Sequence, residues 1–511
     1  MGEDQNQPAR FPFTRFFRID FQEPQDISSD SRRRQAILEW TFIVLLVAAA
    51  FALRIWGLSR THFWDETVYL QNAERICCGK ANYSEWDSRP PLISLIFAAI
   101  FMLWHNVYAA SIVTASMNAL GPALLYLSGR MIVGRIPAGI AALLLAFSPY
   151  LSGHAAGNSL MTDAPAVTLI LLGFWLLLRA VREPSNLRFA CAGFVLALAV
   201  LMRFASLSSV GVLSLLVLAT DRWWKAALAC GAGFIAGIAP YLCWSRVAYG
   251  EFFATFIGGW DNVGGHRDSL LFYLKNFGVI FSWITLAGLA LWVGQWAWQN
   301  WQQKTGDQRA HQDARSEENR SGAMGAFLWL WAAVLLFFFS ALSHKEPRYA
   351  MPLAPPLFLL AGIGLSALVR GRRTAVRVAG TVALAGALVY TFLPDLHRFA
   401  SPFFDRKMSE EMEVSDFLNH NVPADTVLYA NTTYPEFAYY TNLEIEVLPL
   451  SGSDLYDALN QLDRDGVVIA YKPINGESGE PRLEWLDANG HFRRLREFPS
   501  MVLYKFASPA K

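Results

Sequence analysis

Apolar runs about as long as a bilayer is thick recur through most of this chain, and that constrains its fold more than any other feature. A hydrocarbon core of ~30 Å takes roughly 20 apolar helical residues to cross. Runs of this kind, some of them short, lie at 37–58, 108–128, 136–152, 164–180, 188–202, 205–220, 224–243, 271–298, 324–342, 349–369 and 375–393. They predict about eleven spans, each helical because lipid offers the backbone no hydrogen-bond partner. The composition agrees, since 54% hydrophobic and 17% charged residues among 511 exceed what one soluble domain hides. The run from Pro90 to Trp104 is shorter and opens on two prolines, so it reads as an interfacial or dipping helix. The first run follows Arg32-Arg33-Arg34 and contains Ala50-Phe51-Ala52, features a cleaved signal shares. Its length, and that of the polar leader before it, favour a retained anchor.

Lysine and arginine concentrate in cytoplasmic loops, which makes loop charge a test of this count. With the tail 1–35 inside, the inside loops hold Arg130 and Arg135, then Arg179, Arg182 and Arg188, then Arg222 and Lys225. Lys304, Arg309, Arg315 and Arg320 follow in a polar stretch, Gln299 to Ser321, expected to be a flexible loop; Arg370, Arg372, Arg373 and Arg377 complete the set. Residues 36–394 thus form a membrane domain with a large external loop at 58–90. Residues 395–511 lie outside, on the same side as that loop.

Beyond Pro394 hydropathy falls and β-type runs, Thr426 to Ala430, Val467 to Tyr471 and Met501 to Phe506, alternate with helical ones such as Ser453 to Leu462. This predicts a small soluble α/β domain. A net charge of +1, from 43 basic and 42 acidic residues, removes the footprint of a nucleic-acid binder. The five cysteines suggest neither a disulfide framework nor a metal set: Cys77 and Cys78 are adjacent in a polar loop, and Cys191, Cys230 and Cys243 sit in apolar stretches.

Candidate chemistry collects at the helix ends assigned outside. The first external loop reads His62-Phe63-Trp64-Asp65-Glu66 and closes on Asp87-Ser88-Arg89-Pro90-Pro91-Leu92; His154 and Asp163 follow, then Ser343-His344-Lys345-Glu346-Pro347-Arg348-Tyr349. Ionisable groups at membrane depth are costly unless paired or wet, so such a cluster is a site hypothesis. Alternatives stay open for each. The acids of the first loop suit a solvated loop, Asp163 in Thr162-Asp163-Ala164-Pro165 suits a helix N-cap, and Arg348 suits an interfacial anchor. The stretch Gly258-Gly259-Trp260-Asp261-Asn262-Val263-Gly264-Gly265-His266 suits a sugar pocket, with an aromatic face for a pyranose, and equally an ordinary turn.

Trp64-Asp65-Glu66 followed by Asp87-x-Arg89-Pro90-Pro91-Leu92 resembles the first external loop of the protein O-mannosyltransferases. Thr162-Asp163-Ala164-Pro165 and His344-Lys345-Glu346-Pro347-Arg348-Tyr349-Ala350-Met351-Pro352 resemble their bacterial relatives, including the lipid A aminoarabinose transferases. The resemblance implies the GT-C membrane fold and sugar transfer from a polyprenyl- or dolichyl-phosphate carrier. It implies a base at Asp65. Arg89 stands where the eukaryotic enzymes carry histidine, their inserted sugar-binding repeats are lacking, and Ser88 stands where the aminoarabinose enzymes place an acid. Donor class and reaction type therefore carry over, and the acceptor, lipid, glycan or protein, does not. The membrane implied is the plasma or inner membrane of a bacterium, or the endoplasmic reticulum of a eukaryote.

Such a reaction needs a base for the acceptor hydroxyl and a cation for the departing phosphate. Asp65 supplies the first, with Glu66 beside it to orient loop or acceptor. Arg348 is the expected phosphate ligand, since a guanidinium grips it bidentately; Lys345 and Arg89 are the further candidates. Asp87 and Asp163 would shape the acceptor pocket, with Trp260 and Asp261, while His62, His154, His266 and His344 would hydrogen-bond sugar hydroxyls. One base acting by direct displacement predicts inversion at the anomeric carbon. No cofactor is required; a divalent cation is compatible with this chemistry, but no His-x-x-x-His spacing marks a site. The rival reading is a transporter or flippase, which would place charges at the bilayer midplane and show an inverted repeat.

Overall fold

The computed structural model describes residues 29–59, 62–80, 89–148, 160–261, 268–304, 314–370, 374–392, 404–405, 407–473 and 479–508. Contacts divide the chain into two compact units. One takes in the residues before 58, 88–92 and 111–403; the other takes in 58–87, 93–110 and everything from 404 onward.

Among its described residues the first unit is helical, and each of the eleven apolar runs forms a helix or a set of helices there. Seven are long and apolar enough to cross a membrane: Arg33–Ile55, Val107–Ile132, Asp163–Arg182, Trp223–Tyr249, Met324–Ala341, Pro347–Val369 and Thr374–Thr391. Arg135–Phe147, Asn186–Met202 and Phe204–Ala219 are shorter. The run at 271–298 divides into Phe272–Lys275, Phe277–Phe281 and Trp283–Lys304, and the last break falls at Ser282, which has positive φ. The polar stretch expected as a loop from Gln299 is instead helical at both ends. One helix runs on to Lys304 and the next starts at Ala314, because Gln, Lys, Glu, Ala and Arg are good helix formers with no proline to stop them.

Packing in this unit rests on aromatic and small residues. Trp331, Phe174, Phe339 and Phe358 are fully buried, with the rings of Phe174 and Trp331 edge to face at 5.2 Å. Helix Asn186–Met202 meets Trp223–Tyr249 where Gly193 faces the Cys230 carbonyl and Gly233 faces the Ala190 carbonyl; a Cβ on either would lie 1.9 Å from that oxygen. Trp283–Lys304 meets Ala354–Val369 in the same way, through Gly288 and Gly364. Lipid tails are as apolar as leucine, so close backbone approach of this kind is a main source of helix association in a bilayer.

The second unit centres on a five-stranded sheet ordered β4-β3-β5-β7-β6, from β3 Val427–Ala430, β4 Glu444–Val447, β5 Gly466–Tyr471, β6 Phe492–Glu497 and β7 Met501–Phe506. β3 runs parallel to β4 and β5, and β7 is antiparallel to β5 and β6. Helices Glu410–Asn421, Tyr434–Tyr440, Ser453–Asn460 and Leu483–Ala488 complete it. Both faces are covered: Leu428, Val467, Ile469 and Leu503 pack with Val414, Leu418 and Phe437, while Tyr429, Val468 and Tyr504 pack with Leu455 and Leu459. That explains the apolar strands of β3 and β5. A short parallel pair, β1 Leu58–Ser59 with β2 Phe404–Asp405, joins the start of the external loop to the start of this region.

The loop expected outside is not a simple solvated loop. It contains a helix, Trp64–Cys78, that packs on Tyr434–Tyr440. At its end Cys77 and Cys78 are joined by a disulfide, where the sequence suggested none; a bridge between neighbours closes no long loop, so it is still no framework. The proline-led run forms the 12-residue helix Leu92–Leu103. At ~1.5 Å per residue it reaches about 18 Å, too short for the hydrocarbon core.

The glycine contacts make a matched prediction. Gly233→Val forces a side chain into the Ala190 carbonyl, whereas a Cβ at Gly231 on the same helix meets nothing within 4 Å. Overpacking costs about 1–3 kcal/mol, so Gly233→Val lowers the Tm of detergent-purified protein by roughly 3–10 °C while Gly231→Val leaves it within about 2 °C. Equal shifts in the two variants would refute the close approach.

Candidate functional site

In the membrane unit the helix ends expected on one side gather their charges, and so do those expected on the other. At the N-terminal end of the first helix Glu39 accepts from Arg130 and lies 3.6 Å from Arg135, which also donates to Gln35 at 3.0 Å. At the opposite helix ends lie Asp163, Arg203, Asp268 and the stretch 343–349.

Asp163 is 1% exposed and opens the helix Asp163–Arg182; the N-cap position belongs to Thr162. Its carboxylate is paired with Arg203 at 2.8 Å. Arg203 ends the apolar helix Asn186–Met202, and its guanidinium lies 4.8 Å from the centre of the Tyr349 ring. Against the same ring, at 5.6 Å, lies the guanidinium of Arg348. Arg348 donates through Nη2 to Glu346 at 2.8 Å and through Nε to the other carboxylate oxygen, and it touches the Met161 sulfur at 3.4 Å. Glu346 also pairs with His344 at 3.2 Å and accepts from the Tyr349 hydroxyl at 3.1 Å. Burial alone would raise the Glu346 carboxyl, but Arg348, His344 and Tyr349 together hold it below its ordinary value. Two arginines, two carboxylates and one aromatic ring thus form a cluster of ion pairs.

Lys345 is buried, and its ammonium donates to the carbonyls of Asp268 and Leu342 while its backbone N–H donates to Asp268 Oδ2 at 2.7 Å. It ties the segment that begins at Asp268 to residues 342–345. His344 Nδ1 lies 3.6 Å from the same Asp268 carboxylate. The stretch Gly258 to His266 opens as helix, since Ala254–Asp261 is helical with Trp260 at its exposed end; the side chain of Asp261, with His266, falls outside the described residues. His154 and Asp87 also lie outside them, and Arg89 is half-buried just ahead of Pro90.

In the other unit Asp65 and Glu66 occupy the first turn of the helix Trp64–Cys78, where acids suit the positive end of the helix dipole. Asp65 is half-buried and Glu66 is 5% exposed. The Glu66 carboxylate accepts from the Phe63 N–H at 3.1 Å, half of a capping box, and lies 3.7 Å from His62 Nδ1. The helix is gripped from the C-terminal region. The His62 N–H donates to the Tyr440 hydroxyl at 2.9 Å, Tyr434 packs edge to face on Trp64 at 4.8 Å, and Lys80 donates to the Tyr439 carbonyl at 2.5 Å.

Several of these residues escape a reading of motifs. Arg203 is the one with a signal, a lone charge closing an apolar run; Asp268 meets His344 and Lys345 only through tertiary contacts, and Glu346 stands inside the stretch 343–349 with no role read for it. Tyr434 and Tyr440 lie in a region without any recognisable motif. Among the described residues no group of three or more His, Cys, Asp or Glu side chains is placed to hold a metal.

Residues 88–244 match the family model described as dolichyl-phosphate-mannose-protein mannosyltransferase. That segment includes Arg89, Asp163 and Arg203 but begins after Asp65. No curated protein sequence matches the chain. Among solved structures it is similar to ArnT from Cupriavidus metallidurans bound to undecaprenyl phosphate, with TM-score 0.60 and 13% identity over 91% of this chain and 97% of that one. The apo form of the same enzyme gives 0.61 and 14%, covering 92% and 98%. The oligosaccharyltransferase of Archaeoglobus fulgidus gives 0.55 and 11%, covering 85% and 69%. The chain is thus a multi-pass membrane protein with the GT-C fold of these structures, and its residues 88–244 resemble the dolichyl-phosphate-mannose-protein mannosyltransferases.

Proposed function

We propose that this protein moves a sugar from a polyprenyl- or dolichyl-phosphate carrier onto an acceptor hydroxyl at the external face of the membrane, with inversion. The observation that supports this best is the cluster around Tyr349. Two guanidiniums lie against one ring, each paired with a carboxylate, in a fold shared with an enzyme bound to undecaprenyl phosphate. A phosphate is the ligand for which a guanidinium would exchange its carboxylate, because it offers the same bidentate geometry with more charge.

In this reading Asp65 takes the proton of the acceptor hydroxyl as its oxygen attacks the anomeric carbon. The bond from that carbon to the carrier phosphate breaks, and the phosphate leaves with the electron pair. Arg348 receives its charge, with Arg89 and Lys345 supporting the carrier end, and no proton or metal is required to expel it. Glu66 sets the Asp65 helix through the Phe63 N–H. Asp163, held by Arg203, shapes the acceptor pocket together with His344 and Trp260.

Two measurements test this with purified protein, a polyprenyl-phosphate sugar and a hydroxyl acceptor. Asp65→Asn lowers kcat by ~10²–10⁴-fold, the range for a lost general base, and Arg348→Ala raises the donor KM by about tenfold or more. Near-normal turnover in both would leave a transporter or a non-catalytic sugar-binding subunit as the better reading. Arg203→Ala removes the ion pair of the buried Asp163 carboxylate, at a cost of ~3–5 kcal/mol, so it accumulates poorly, whereas the double variant Asp163→Asn/Arg203→Met regains stability. If the pair serves the reaction, that stable double variant still turns over at least tenfold slower; full activity would make the pair purely structural.

A further inference from the structure

A small cavity in the membrane unit has polar walls that the chemistry above does not use. It encloses about 20 Å³ between helices Ser29–Ile55, Val107–Ile132 and Asp163–Arg182 and the 3-10 segment Pro347–Leu353. Three polar side chains line it, and all are buried: Arg54, Asn118 and Thr168. Arg54 is 2% exposed in the last turn of a candidate span, and its Nη1 donates to the Ala50 carbonyl at 2.9 Å. A charged side chain inside a span is costly, and its presence marks a functional site by default. Thr168 Oγ1 donates to the Ala164 carbonyl at 3.2 Å, which uses its one proton and leaves the oxygen as an acceptor. A glycine keeps the space open: a Cβ at Gly121 would come within 3.1 Å of Thr168 Oγ1.

Two further wall residues tie the cavity to the candidate site. Ala164 adjoins Asp163, and Met351 lies three residues beyond Arg348 in the 3-10 segment. On the reading above Arg348 holds the carrier phosphate and Asp163 shapes the acceptor pocket. The cavity is therefore walled by the segment that holds the leaving group and by the helix that opens on the acceptor side, and the sugar in transit has to lie against both.

Size and donor chemistry decide what enters. A space of about 20 Å³ admits one group the size of a water molecule, so a phosphate with its several oxygens is excluded. A guanidinium carries five N–H donors and no acceptor, so its ligand has to accept. An ammonium has three donors and no lone pair, and cannot. A hydroxyl can accept from Arg54 and donate to Thr168 or to the Asn118 amide oxygen. We propose that this cavity receives one hydroxyl of the sugar being transferred, and that Arg54, Asn118 and Thr168 thereby select a neutral polyhydroxylated sugar over one carrying an ammonium in that place. The selection rests on the glycosyl-transfer reading, with Arg348 as the phosphate ligand, and holds whichever acceptor follows.

The test uses full-length purified protein, a hydroxyl acceptor and a panel of polyprenyl-phosphate hexoses and pentoses, neutral and amino-substituted; the best neutral donor is also supplied as its monodeoxy and monoamino analogues. In wild type the neutral donors are turned over, and at one position both the deoxy and the amino analogue lose at least tenfold in kcat/KM, the cost of a hydrogen bond to a charged group. Gly121→Ala, which fills the space, and Arg54→Met, which removes the donors, lower kcat/KM for the parent sugar by a similar factor and no longer distinguish it from that deoxy analogue. If Arg54→Met fails to accumulate, the Gly121→Ala panel decides alone. A wild type that prefers an amino donor or treats every analogue like its parent, or a Gly121→Ala variant with unchanged preference, overturns the selection, leaves the transfer reading in place and makes the cavity a site for water only. Absence of turnover with every donor overturns the transfer reading, and the selection with it.

Discussion

A charge at the edge of a bilayer is tolerable only when it is paired, and the membrane unit is organised around that requirement. Asp163 is almost fully buried at the start of a spanning helix, where an isolated carboxylate would be prohibitive; Arg203, at the end of the neighbouring helix, makes it tolerable. Arg348 and Glu346 do the same two residues apart on one short segment, and both guanidiniums reach the Tyr349 ring. A buried ion pair is a poor source of stability, because desolvation offsets most of the attraction. Two such pairs around one ring are therefore better explained by use than by folding. The bland alternative for Arg348, an interfacial anchor, does not account for a guanidinium that turns back onto Glu346 and Met161.

The other unit solves a different problem. Asp65 belongs to a segment between two apolar runs that has little hydrophobic surface of its own. Its helix becomes ordered because Tyr434 and Tyr440 give Trp64 and His62 something to pack on and bond to, and because the sheet behind them is buried on both faces. A soluble α/β domain at the end of the chain thus contributes to a segment some 370 positions earlier, as the separation of 378 between His62 and Tyr440 shows.

The sequence made the helices legible because a bilayer leaves few alternatives: every apolar run formed one, and the double proline before Leu92 marked a helix too short to cross. The strands at 427–430, 466–471 and 501–506 were equally visible, since β-branched and aromatic residues were bounded by turn formers. Loops were harder. Gln299 to Ser321 read as flexible from polarity alone, yet its helix formers carry helix from both sides. The Gly258-Gly259 pair suggested a turn, yet the helix Ala254–Asp261 runs through both glycines. Asp163 read as a cap by its neighbours, but pairing with Arg203, forty residues on, depends on how two helices pack.

Pairing also determines how such a site responds to its ligand. Arg348 rests on Glu346, so under the proposed function a carrier phosphate would compete with a carboxylate already in place. If it displaces Glu346, the freed carboxylate keeps His344 and the Tyr349 hydroxyl as partners, which lessens the cost of exchange. His344 in turn lies 3.6 Å from Asp268, and Lys345 binds the same segment through the Asp268 carbonyl. Loss of the arginine from Glu346 is thereby transmitted to the start of residues 268–269 through groups already in contact. On the proposed reading the stretch 343–349 holds phosphate ligand, counter-charge and tether to Asp268 within seven residues, so a substitution at Glu346 would disturb donor binding and the contacts to Asp268 together.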